Sequence, residues 1–268
     1  MFKPLVSIIT ICFNSEKTIE KTIESVINQT YKNIEYIVVD GSSKDNTINI
    51  IKKYTNNIGL FISEPDSGIA EAFNKGLKNA NGELVGIINS DDWYEVDTVE
   101  RIVKKYINNP SFDIFHGNLK IFNKDKELFV SYPDRDYEKL KYKMIVNHPT
   151  CFVKKSLYEE CGFFSEKYKI GMDHELLLRF YKNGAKFYYL NEILSNMQIT
   201  GISNKRPFLV SKERFNISRQ YNVSLFKALY YFFSLLIKDR IIKSLGDNSF
   251  LVKSYRKIKT KHNILKHL

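Results

Sequence analysis

The first ninety residues of the chain alternate short apolar runs with longer amphipathic stretches. Each apolar run has the length and the β-branched content of a buried strand, and each amphipathic stretch repeats its apolar side chains at helical spacing. A parallel sheet whose crossovers are helices produces this alternation. The pattern therefore predicts an α/β fold with strands at 5–11, 34–39, 60–63 and 84–89 and helices at 14–28, 44–54 and 68–79.

The pattern changes in the middle of the chain. A helix follows Asp97, and beyond Pro110 three short segments alternate apolar and polar residues as antiparallel strands do. These segments are 112–116, 119–122 and 127–132, and they are followed by a strand at 150–153 and a helix at 173–183. We predict one domain at 1–205 and a separate tail at 206–268.

The tail differs from the body in charge and composition. Residues 205–268 carry fifteen Lys and Arg against three Asp and Glu, so the whole net charge of +11 arises there. The segment 225–242 predicts an aromatic-rich helix that is too short and too interrupted to span a bilayer. Its apolar side chains recur at spacings of three and four and form one face: Phe226, Leu229, Tyr230, Phe233, Leu236 and Ile237.

Three partners suit such a tail. An anionic membrane surface would attract its cations and bury its apolar face. Nucleic acid would account for the charge alone, and packing on the body or on a second subunit would account for the apolar face alone. The density of apolar residues favours lipid, so we expect a peripheral position on the inner face of the cell membrane and no nucleic-acid partner. A homo-oligomer stays open as the third account.

The cysteines and the amino terminus indicate a cytoplasmic protein. Cys12, Cys151 and Cys161 are widely spaced and form no CxxC pair, so we expect reduced thiols and no zinc site. The first ten residues lack the apolar core and cleavage site of a signal peptide.

Polar residues follow the predicted strands at their carboxyl ends. Asp40 follows the second strand, Asp66 the third, and Asp91 with Asp92 the fourth. The carboxyl ends of parallel strands share one edge, where ligands of open α/β sheets bind. An isolated Asp-Asp pair is also typical of a helix-capping turn, but polar clusters that converge on one edge favour a site. Adjacent carboxylates repel each other unless a cation such as Mg²⁺ or Mn²⁺ binds between them. The loop after the first strand has no glycine, which argues against a dinucleotide dehydrogenase.

Four motifs occur in this region: VSIITICFN at 6–14, NIEYIVVDGSSKDNT at 33–47, SEPDSGIAEAFNKG at 63–76 and INSDD at 88–92. In combination and in order they resemble the family 2 glycosyltransferases of GT-A fold. The resemblance covers residues 5–95 well and 148–203 more loosely, and the tail lies outside it. It implies that 1–95 binds a nucleotide sugar on a Rossmann-like sheet and that 96–205 binds the acceptor.

The resemblance also implies roles for individual residues. Phe13 would lie against the base, Asp40 would accept a hydrogen bond from the uracil imide, and Asp91 would hold Mn²⁺ or Mg²⁺ on the diphosphate with Asp92 as support. Asn89 stands where the family's motif begins with Asp, and its oxygen would face the ribose. The implied donor-binding residues are Thr10, Phe13, Asn14, Asp40, Asp66, Lys75, Asn89, Ser90 and Asp91.

The family's chemistry is inverting and requires a general base for the acceptor hydroxyl. Asp173 in GMDHELLLR at 171–179 resembles the family's later acidic motif, and it could also cap the helix that follows. His174 and Glu175 are alternatives for the base. His148 would border the acceptor, and Trp93 would stack on a sugar or pack in the core.

The sequence thus predicts a metal-dependent inverting glycosyltransferase that uses a nucleotide sugar, in first place a uridine diphosphate sugar. The expected acceptor is a glycan on a lipid carrier, as in the synthesis of cell-surface polysaccharide; a protein or a soluble sugar is the alternative within the same class. The rival from another class is a non-catalytic protein of the same fold that binds a nucleotide or anchors an assembly at the membrane.

Overall fold

The computed structural model describes residues 3–199 and 205–246, together with 249, 251, 252 and 254. Its first half contains the predicted alternation of strands and helices. Each strand is a run of largely buried apolar residues, and each crossover presents an apolar face to the sheet. The elements are β1 (Val6–Cys12), α1 (Ile19–Ile27), β2 (Ile34–Asp40), α2 (Thr47–Lys52), β3 (Leu60–Ser63), α3 (Ile69–Asn79) and β4 (Leu84–Asn89).

The four strands are parallel and lie in the order β3-β2-β1-β4. Their registers align the strand ends: Cys12 lies opposite Asp40, and Asp40 lies opposite Ser63. On the other side of β1, Ile11 lies opposite Asn89. The loops that follow all four strands therefore emerge at one edge of the sheet, as predicted.

The second half extends the same sheet, whose order continues β8-β6-β9-β5 beyond β4, with β7 paired to β6. The pairing is mixed, because β8 is antiparallel to both β4 and β6 whereas β9 is parallel to β6. The elements are β5 (Trp93–Tyr94), α4 (Thr98–Asn108), β6 (Ile114–Asn123), β7 (Lys126–Ser131), β8 (Phe152–Lys154), α5 (Lys155–Cys161), α6 (Met172–Lys182) and β9 (Phe187–Gln198).

Two features of this half differ from the sequence prediction. The segments 112–116 and 119–122 belong to the single strand β6, and the twelve-residue strand β9 was not predicted. Leu190 and Leu194 of β9 are buried, but the residues between them do not alternate between buried and exposed. The register between β6 and β9 also shifts near His116, so neither strand keeps the period of two that reveals a strand in sequence.

Two hydrophobic clusters cover the faces of the sheet. Ile9 packs with α3 and α6 on one face, and Ile8 packs with α1 and α4 on the other. Gly76 allows α3 to approach β1 closely, since a Cβ at this position would lie 2.4 Å from Cγ2 of Ile9. The close approach holds the start of α3 beside the edge where the strands end.

The predicted tail consists of two helices with different surroundings, α7 (Pro207–Gln220) and α8 (Leu225–Leu245). Ile217 of α7 is fully buried in the cluster that contains α6, and the Tyr168 hydroxyl donates to Oε1 of Gln220 at 2.8 Å. The predicted boundary at 205 therefore falls before a helix that packs into the body, and the structure extends the body to about residue 223. The prediction rested on the excess of Lys and Arg, which begins near residue 205, whereas packing against the body continues to about residue 223.

Helix α8 lies on α7, and Phe232 contacts the rings of Phe208 and Phe215. Ala228 is its one buried residue within the part of the chain that the structure describes. In that part, no helix has both the length and the apolar composition that crossing a membrane requires.

Candidate active site

A cleft of about 850 Å³ lies at the edge where the parallel strands end. Its size is that of pockets that bind small molecules and cofactors. Several predicted site residues line it, drawn from the ends of β1, β3 and β4 and the loops that follow them, from the 3₁₀ turn His148–Thr150 and from the start of α6. These are Phe13, Asn14, Asp66, Asn89, Ser90, Asp91, Asp92, His148 and Asp173.

The loop after β1 forms one wall of the cleft. Phe13 is 61% exposed although it is aromatic, so its ring is available to a ligand. Asn14 adopts a positive φ of 49°, which Asn tolerates better than most residues. It is held there because its backbone N–H donates to Oγ of Ser43 at 2.8 Å and its Oδ1 accepts from the N–H of Lys44.

Thr10 does not line the cleft. Its side chain is fully buried, and its Oγ1 accepts a hydrogen bond from the Tyr36 hydroxyl at 3.1 Å. The predicted donor contact is therefore corrected to a packing role within β1.

Asp40 also lies beneath the cleft, and its side chain is fully buried. One carboxylate oxygen accepts from Oγ of Ser63 at 2.7 Å, and the carboxylate accepts further hydrogen bonds from the hydroxyl and the N–H of Ser43 and from the thiol of Cys12. These donors come from three loops of the edge. Asp40 therefore ties the loops together and is not placed to meet a base.

Asp66 presents a carboxylate to the end of the cleft that was expected to hold the base. Oδ1 of Asp66 accepts from the N–H of Gly68 at 3.0 Å, and burial raises its pKa. Oδ2 of Asp66 lies over Gly41, where an added Cβ would be 2.6 Å from that oxygen and 3.5 Å from the Phe13 ring. Phe13, Gly41 and Asp66 thus form one compact wall with an aromatic face and a hydrogen-bond acceptor.

Lys75 does not reach the cleft. Its amino group donates to the carbonyl of Pro65 at 2.8 Å and pairs with Glu64 at 3.0 Å and Glu71 at 3.1 Å. It therefore holds the loop that carries Asp66, and the predicted contact with the diphosphate is corrected.

The two carboxylates after β4 have different environments. Asp92 is fully buried and accepts hydrogen bonds from Nδ2 of Asn89 and from the N–H of Gln198, whereas Asp91 is partly exposed. Burial raises the pKa of both, and the charge of Asp91 adds to the rise at Asp92. Lys205 opposes part of the rise at Asp91. Asp91 is thus the carboxylate that faces a ligand, and Asp92 supports it from below.

This arrangement fits a hard divalent cation. The Oε1 atom of Gln198 lines the same cleft, is buried and accepts no hydrogen bond. Asp91, Asp92 and Gln198 offer oxygen ligands, which Mg²⁺ and Mn²⁺ prefer. Among the described residues there is no group of three His, Cys, Asp or Glu that would hold a metal alone. Phosphate oxygens and water would therefore complete the coordination, as is usual for magnesium at nucleotide sites.

Asp173 and His148 line the same cleft as Phe13. Asp173 lies in the first turn of α6, and its Oδ1 accepts from the N–H of His174 at 2.7 Å. Burial lowers the pKa of His148, and the Asp173 carboxylate opposes this shift. An imidazole with a lowered pKa and a carboxylate therefore line one part of the cleft, where a proton could be accepted.

The two alternatives for the base face away from the cleft. His174 Nε2 lies 2.6 Å from the carbonyl oxygen of Leu140, and the Glu175 carboxylate pairs with Arg179 at 3.1 Å. Trp93 is likewise outside the cleft, because its ring packs on Phe122 and lies 3.2 Å from the amino group of Lys21. Its predicted contact with the acceptor is corrected to packing.

Helix α7 supports Asp173 through a residue that the sequence analysis did not identify. The buried Glu213 carboxylate accepts the backbone N–H groups of residues 169, 170 and 171 at 2.8, 2.9 and 2.7 Å. These residues lead directly into α6. Arg214, the next residue of α7, lies within electrostatic range of Asp173. No local pattern connects these residues to position 173, since the contact spans forty residues of sequence.

The chain is similar in sequence to known glycosyltransferases. The profile of glycosyl transferase family 2 matches residues 7–162, which is more than half of the chain. Hyaluronan synthase of Pasteurella multocida is 31% identical over 227 residues, 80% of this chain and 23% of that protein. Chondroitin synthase of Pasteurella multocida strain Pm70 is 31% identical over 233 residues, 82% of this chain and 24% of that protein. The chain thus spans about a quarter of the length of these two relatives.

The fold is similar to two solved glycosyltransferase structures. Residues 1–349 of Staphylococcus aureus TarS in complex with UDP-GlcNAc match with a TM-score of 0.64 at 20% identity, covering 87% of this chain and 71% of that one. The mannosyltransferase PcManGT of Pyrobaculum calidifontis, in complex with GDP-Man and Mn²⁺, matches with a TM-score of 0.64 at 16% identity, covering 100% of this chain and 89% of that one. At these identities the likeness establishes the GT-A fold. The profile match, which covers more than half of the chain, shows that the chain belongs to glycosyl transferase family 2.

Proposed function

We propose that the chain transfers a sugar from a uridine diphosphate sugar to a hydroxyl group of a glycan, with inversion at the anomeric carbon. One observation carries this proposal: Phe13 with Asp66, Asp91, and Asp173 with His148 line a single cleft. Asp66 and Asp91 follow β3 and β4, the two outer strands of the parallel set, with β2 and β1 between them. That separation suits a nucleoside diphosphate that lies across the edge of the sheet.

The base would bind between Phe13 and Asp66. An exposed aromatic ring offers a stacking face, and the Asp66 carboxylate can accept a hydrogen bond from an imide N–H. The absence of a side chain at Gly41 lets the Asp66 carboxylate lie against the backbone beside the Phe13 ring. TarS structures contain UDP and UDP-GlcNAc, which supports a uridine donor, whereas PcManGT contains GDP-Man.

The diphosphate would lie at Asp91, with Ser90 and Lys205 beside it. Asp91 and Asp92, with Oε1 of Gln198, would hold Mn²⁺ or Mg²⁺, which neutralises the charge that develops on the leaving diphosphate. Ser90 connects this loop to the loop after β1, because its hydroxyl lies 2.8 Å from that of Ser15. This contact holds the two loops of the donor site next to each other.

In the transfer step, Asp173 would act as the general base. The acceptor hydroxyl oxygen forms a bond to the anomeric carbon while the bond from that carbon to the diphosphate oxygen breaks. The hydroxyl proton passes to the Asp173 carboxylate. Burial lowers the pKa of His148, which favours the uncharged imidazole, and this ring would orient the acceptor by a hydrogen bond.

The identity of the donor is tested by measuring the melting temperature of the protein with each of a panel of nucleotides and Mn²⁺, since a ligand that binds the folded state stabilises it. UDP and UDP-sugars should raise the melting temperature most, and Asp66→Ala should remove that difference while the surface control Asp125→Asn keeps it. A larger rise with guanosine nucleotides would refute the uridine assignment.

The transfer itself is tested by donor hydrolysis and by product formation on oligosaccharide acceptors. A folded protein that binds nucleotide but neither hydrolyses the donor nor transfers sugar under any metal condition would support the rival function, a non-catalytic binding protein of this fold.

We further propose that the acceptor is carried on a lipid and that the enzyme lies on the inner face of the cell membrane. The support is α8, whose outward face is strongly exposed: Phe226 by 85%, Tyr230 by 66% and Ile237 by 58%. Lys238 and Arg240 follow on the same helix. An exposed apolar helix face flanked by cations suits an anionic interface.

Flotation with anionic and with neutral liposomes tests this position. The protein should float with anionic liposomes at low salt and less at high salt, and a chain truncated before Ser224 should not float but should still hydrolyse donor. If the full chain ignores liposomes and forms a dimer in sedimentation, α8 is a subunit contact instead.

A further inference from the structure

A second cavity of about 430 Å³ lies apart from the donor cleft. It is bounded by the 3₁₀ turn Tyr137–Lys141, the end of α6 and the first turn of α8. Three lysines line it, Lys141, Lys182 and Lys227, and we call this cavity the lysine pocket. None of these residues belongs to the donor or acceptor sites described above.

The positive charge of the lysine pocket is poorly compensated. Lys141 contacts the Glu138 carboxylate, which also accepts from the Tyr181 hydroxyl at 2.9 Å. Burial and the contact with Lys141 lower the pKa of Lys182. Within the described part of the chain, Lys182 and Lys227 form no ion pair. One of the three ammonium groups thus has a carboxylate partner within the described residues, and the excess of positive charge favours the binding of an anion.

The third lysine is held in place by aromatic rings. The rings of Tyr142 and Tyr231 stack at 4.3 Å with an angle of 18° between their planes. The amino group of Lys227 lies 4.3 Å from the centre of the Tyr142 ring, a cation–π contact. A lysine that is already ordered loses less side-chain entropy when a ligand binds.

Helix α8 adds backbone donors to the same pocket. Its N-cap, Ser224, makes no side-chain capping hydrogen bond, and the N–H groups of the first turn have no partner within the helix. The helix dipole adds partial positive charge at this end. These donors supplement the lysine cluster, which is the primary feature of the site.

We propose that the lysine pocket is a phosphate-binding subsite whose ligand is the headgroup phosphate of an anionic phospholipid. The lipid source is favoured because the exposed apolar face of α8 begins at Phe226, one residue from Lys227 on the same helix turn. A headgroup in the pocket would leave its acyl chains beside that face. The source of the phosphate rests on the membrane position proposed above, whereas the phosphate chemistry of the pocket does not.

The test compares two variants of equal charge. The pocket variant combines Lys141→Gln, Lys182→Gln and Lys227→Gln. The control variant combines Lys32→Gln, Lys78→Gln and Lys104→Gln, which are exposed lysines of the body. Each is measured by flotation with phosphatidylglycerol vesicles, with vesicles that carry the same charge as oleate carboxylate, and with neutral phosphatidylcholine vesicles. Stabilisation by soluble glycerol phosphate is measured in parallel by thermal shift.

The wild type should bind phosphatidylglycerol vesicles better than oleate vesicles. The pocket variant should lose about a hundredfold in vesicle affinity, since each of the three cations near an anionic surface contributes about a fivefold change, and the control should lose far less. A third result is that soluble glycerol phosphate stabilises the wild type but not the pocket variant, while neither protein binds vesicles. The lysine pocket would then bind phosphate, and its ligand would be a soluble phosphate instead of a lipid.

Equal losses in the pocket and control variants would overturn the proposal, because net charge alone would then explain binding. Equal binding to phosphate and carboxylate vesicles, without stabilisation by glycerol phosphate, would also overturn it. Donor hydrolysis distinguishes failure of the lysine pocket from failure of the proposed glycosyltransferase function. The pocket variant should hydrolyse the donor at the wild-type rate. If the wild type itself does not hydrolyse the donor, that result counts against the proposed function and not against the lysine pocket.

Discussion

Glu213 should be the residue of α7 on which the geometry of the catalytic end depends most. Its carboxylate accepts three backbone N–H groups, at 2.8, 2.9 and 2.7 Å, from the loop that leads into α6 and Asp173. The side chain is 6% exposed, so water replaces these hydrogen bonds poorly. Glu213→Ala removes the acceptor for all three donors at once.

The expected loss of stability in Glu213→Ala follows from the number of N–H donors that lose their acceptor. A buried donor without its partner costs about 1–3 kcal/mol; the N–H of residue 171 is buried and those of 169 and 170 are partly buried, so the three together would cost at most about 3–9 kcal/mol if the loop did not move. Relaxation of the loop favours the lower end of this range, which is still a large fraction of a typical stability of about 5–15 kcal/mol. Glu213→Gln keeps one oxygen acceptor, so its cost should be smaller, about 1.5–3 kcal/mol.

Urea denaturation measures the free energy of unfolding, and steady-state kinetics measures the effect on Asp173. Glu213→Gln should lower kcat more than it weakens donor binding, because the affected loop lies at the acceptor end of the cleft. The exposed Glu127→Ala is the control and should change stability by less than about 0.5 kcal/mol. A cost below 1 kcal/mol for Glu213→Ala, or an equal loss of donor affinity and kcat in Glu213→Gln, would refute the reasoning.

Four further predictions concern the cleft. Asp91→Asn should abolish stimulation of turnover by Mn²⁺ while urea denaturation shows a folded protein; preserved stimulation would exclude Asp91 as the principal ligand. Because burial raises the pKa of Asp92, the folded state binds a proton more tightly than the unfolded state, and without metal the free energy of unfolding should fall as pH rises above about 4. Asp92→Asn should flatten this slope in denaturation experiments across pH, and an unchanged slope would contradict the shift. Asp173→Asn should reduce kcat by about 10²–10⁴-fold with donor affinity intact in calorimetry; an equal loss of affinity would indicate a structural role. Asp66→Ala should weaken donor binding by about tenfold to a hundredfold, the value of a charge-assisted hydrogen bond, and unchanged affinity would remove Asp66 from the base site.

The parallel half of the fold was predictable from sequence for a local reason. A buried parallel strand must be apolar on both faces, and a crossover helix must be apolar on one, so each element carries its own periodicity. The polar residues at the strand ends then follow from chain direction alone, and Asp91 faces the cleft as expected. Strands β6 and β9 of the second half carry no such period, because they pair through shifted registers.

The sequence by itself determined that carboxylates gather at the edge of the sheet, and the tertiary structure decided which of them faces a ligand. Asp40 and Asp66 follow neighbouring strands, and nothing local distinguishes them. Asp40 is buried and accepts hydrogen bonds from Ser43 and Ser63, whereas Asp66 accepts one from the backbone of Gly68 and lines the cleft. The donors that reach a carboxylate at the end of a strand come from distant parts of the chain. Which carboxylates accept hydrogen bonds from the protein is therefore decided only in the folded molecule. The same reason applies to α7, whose charge marked it as tail but whose Glu213 meets buried donors forty residues away.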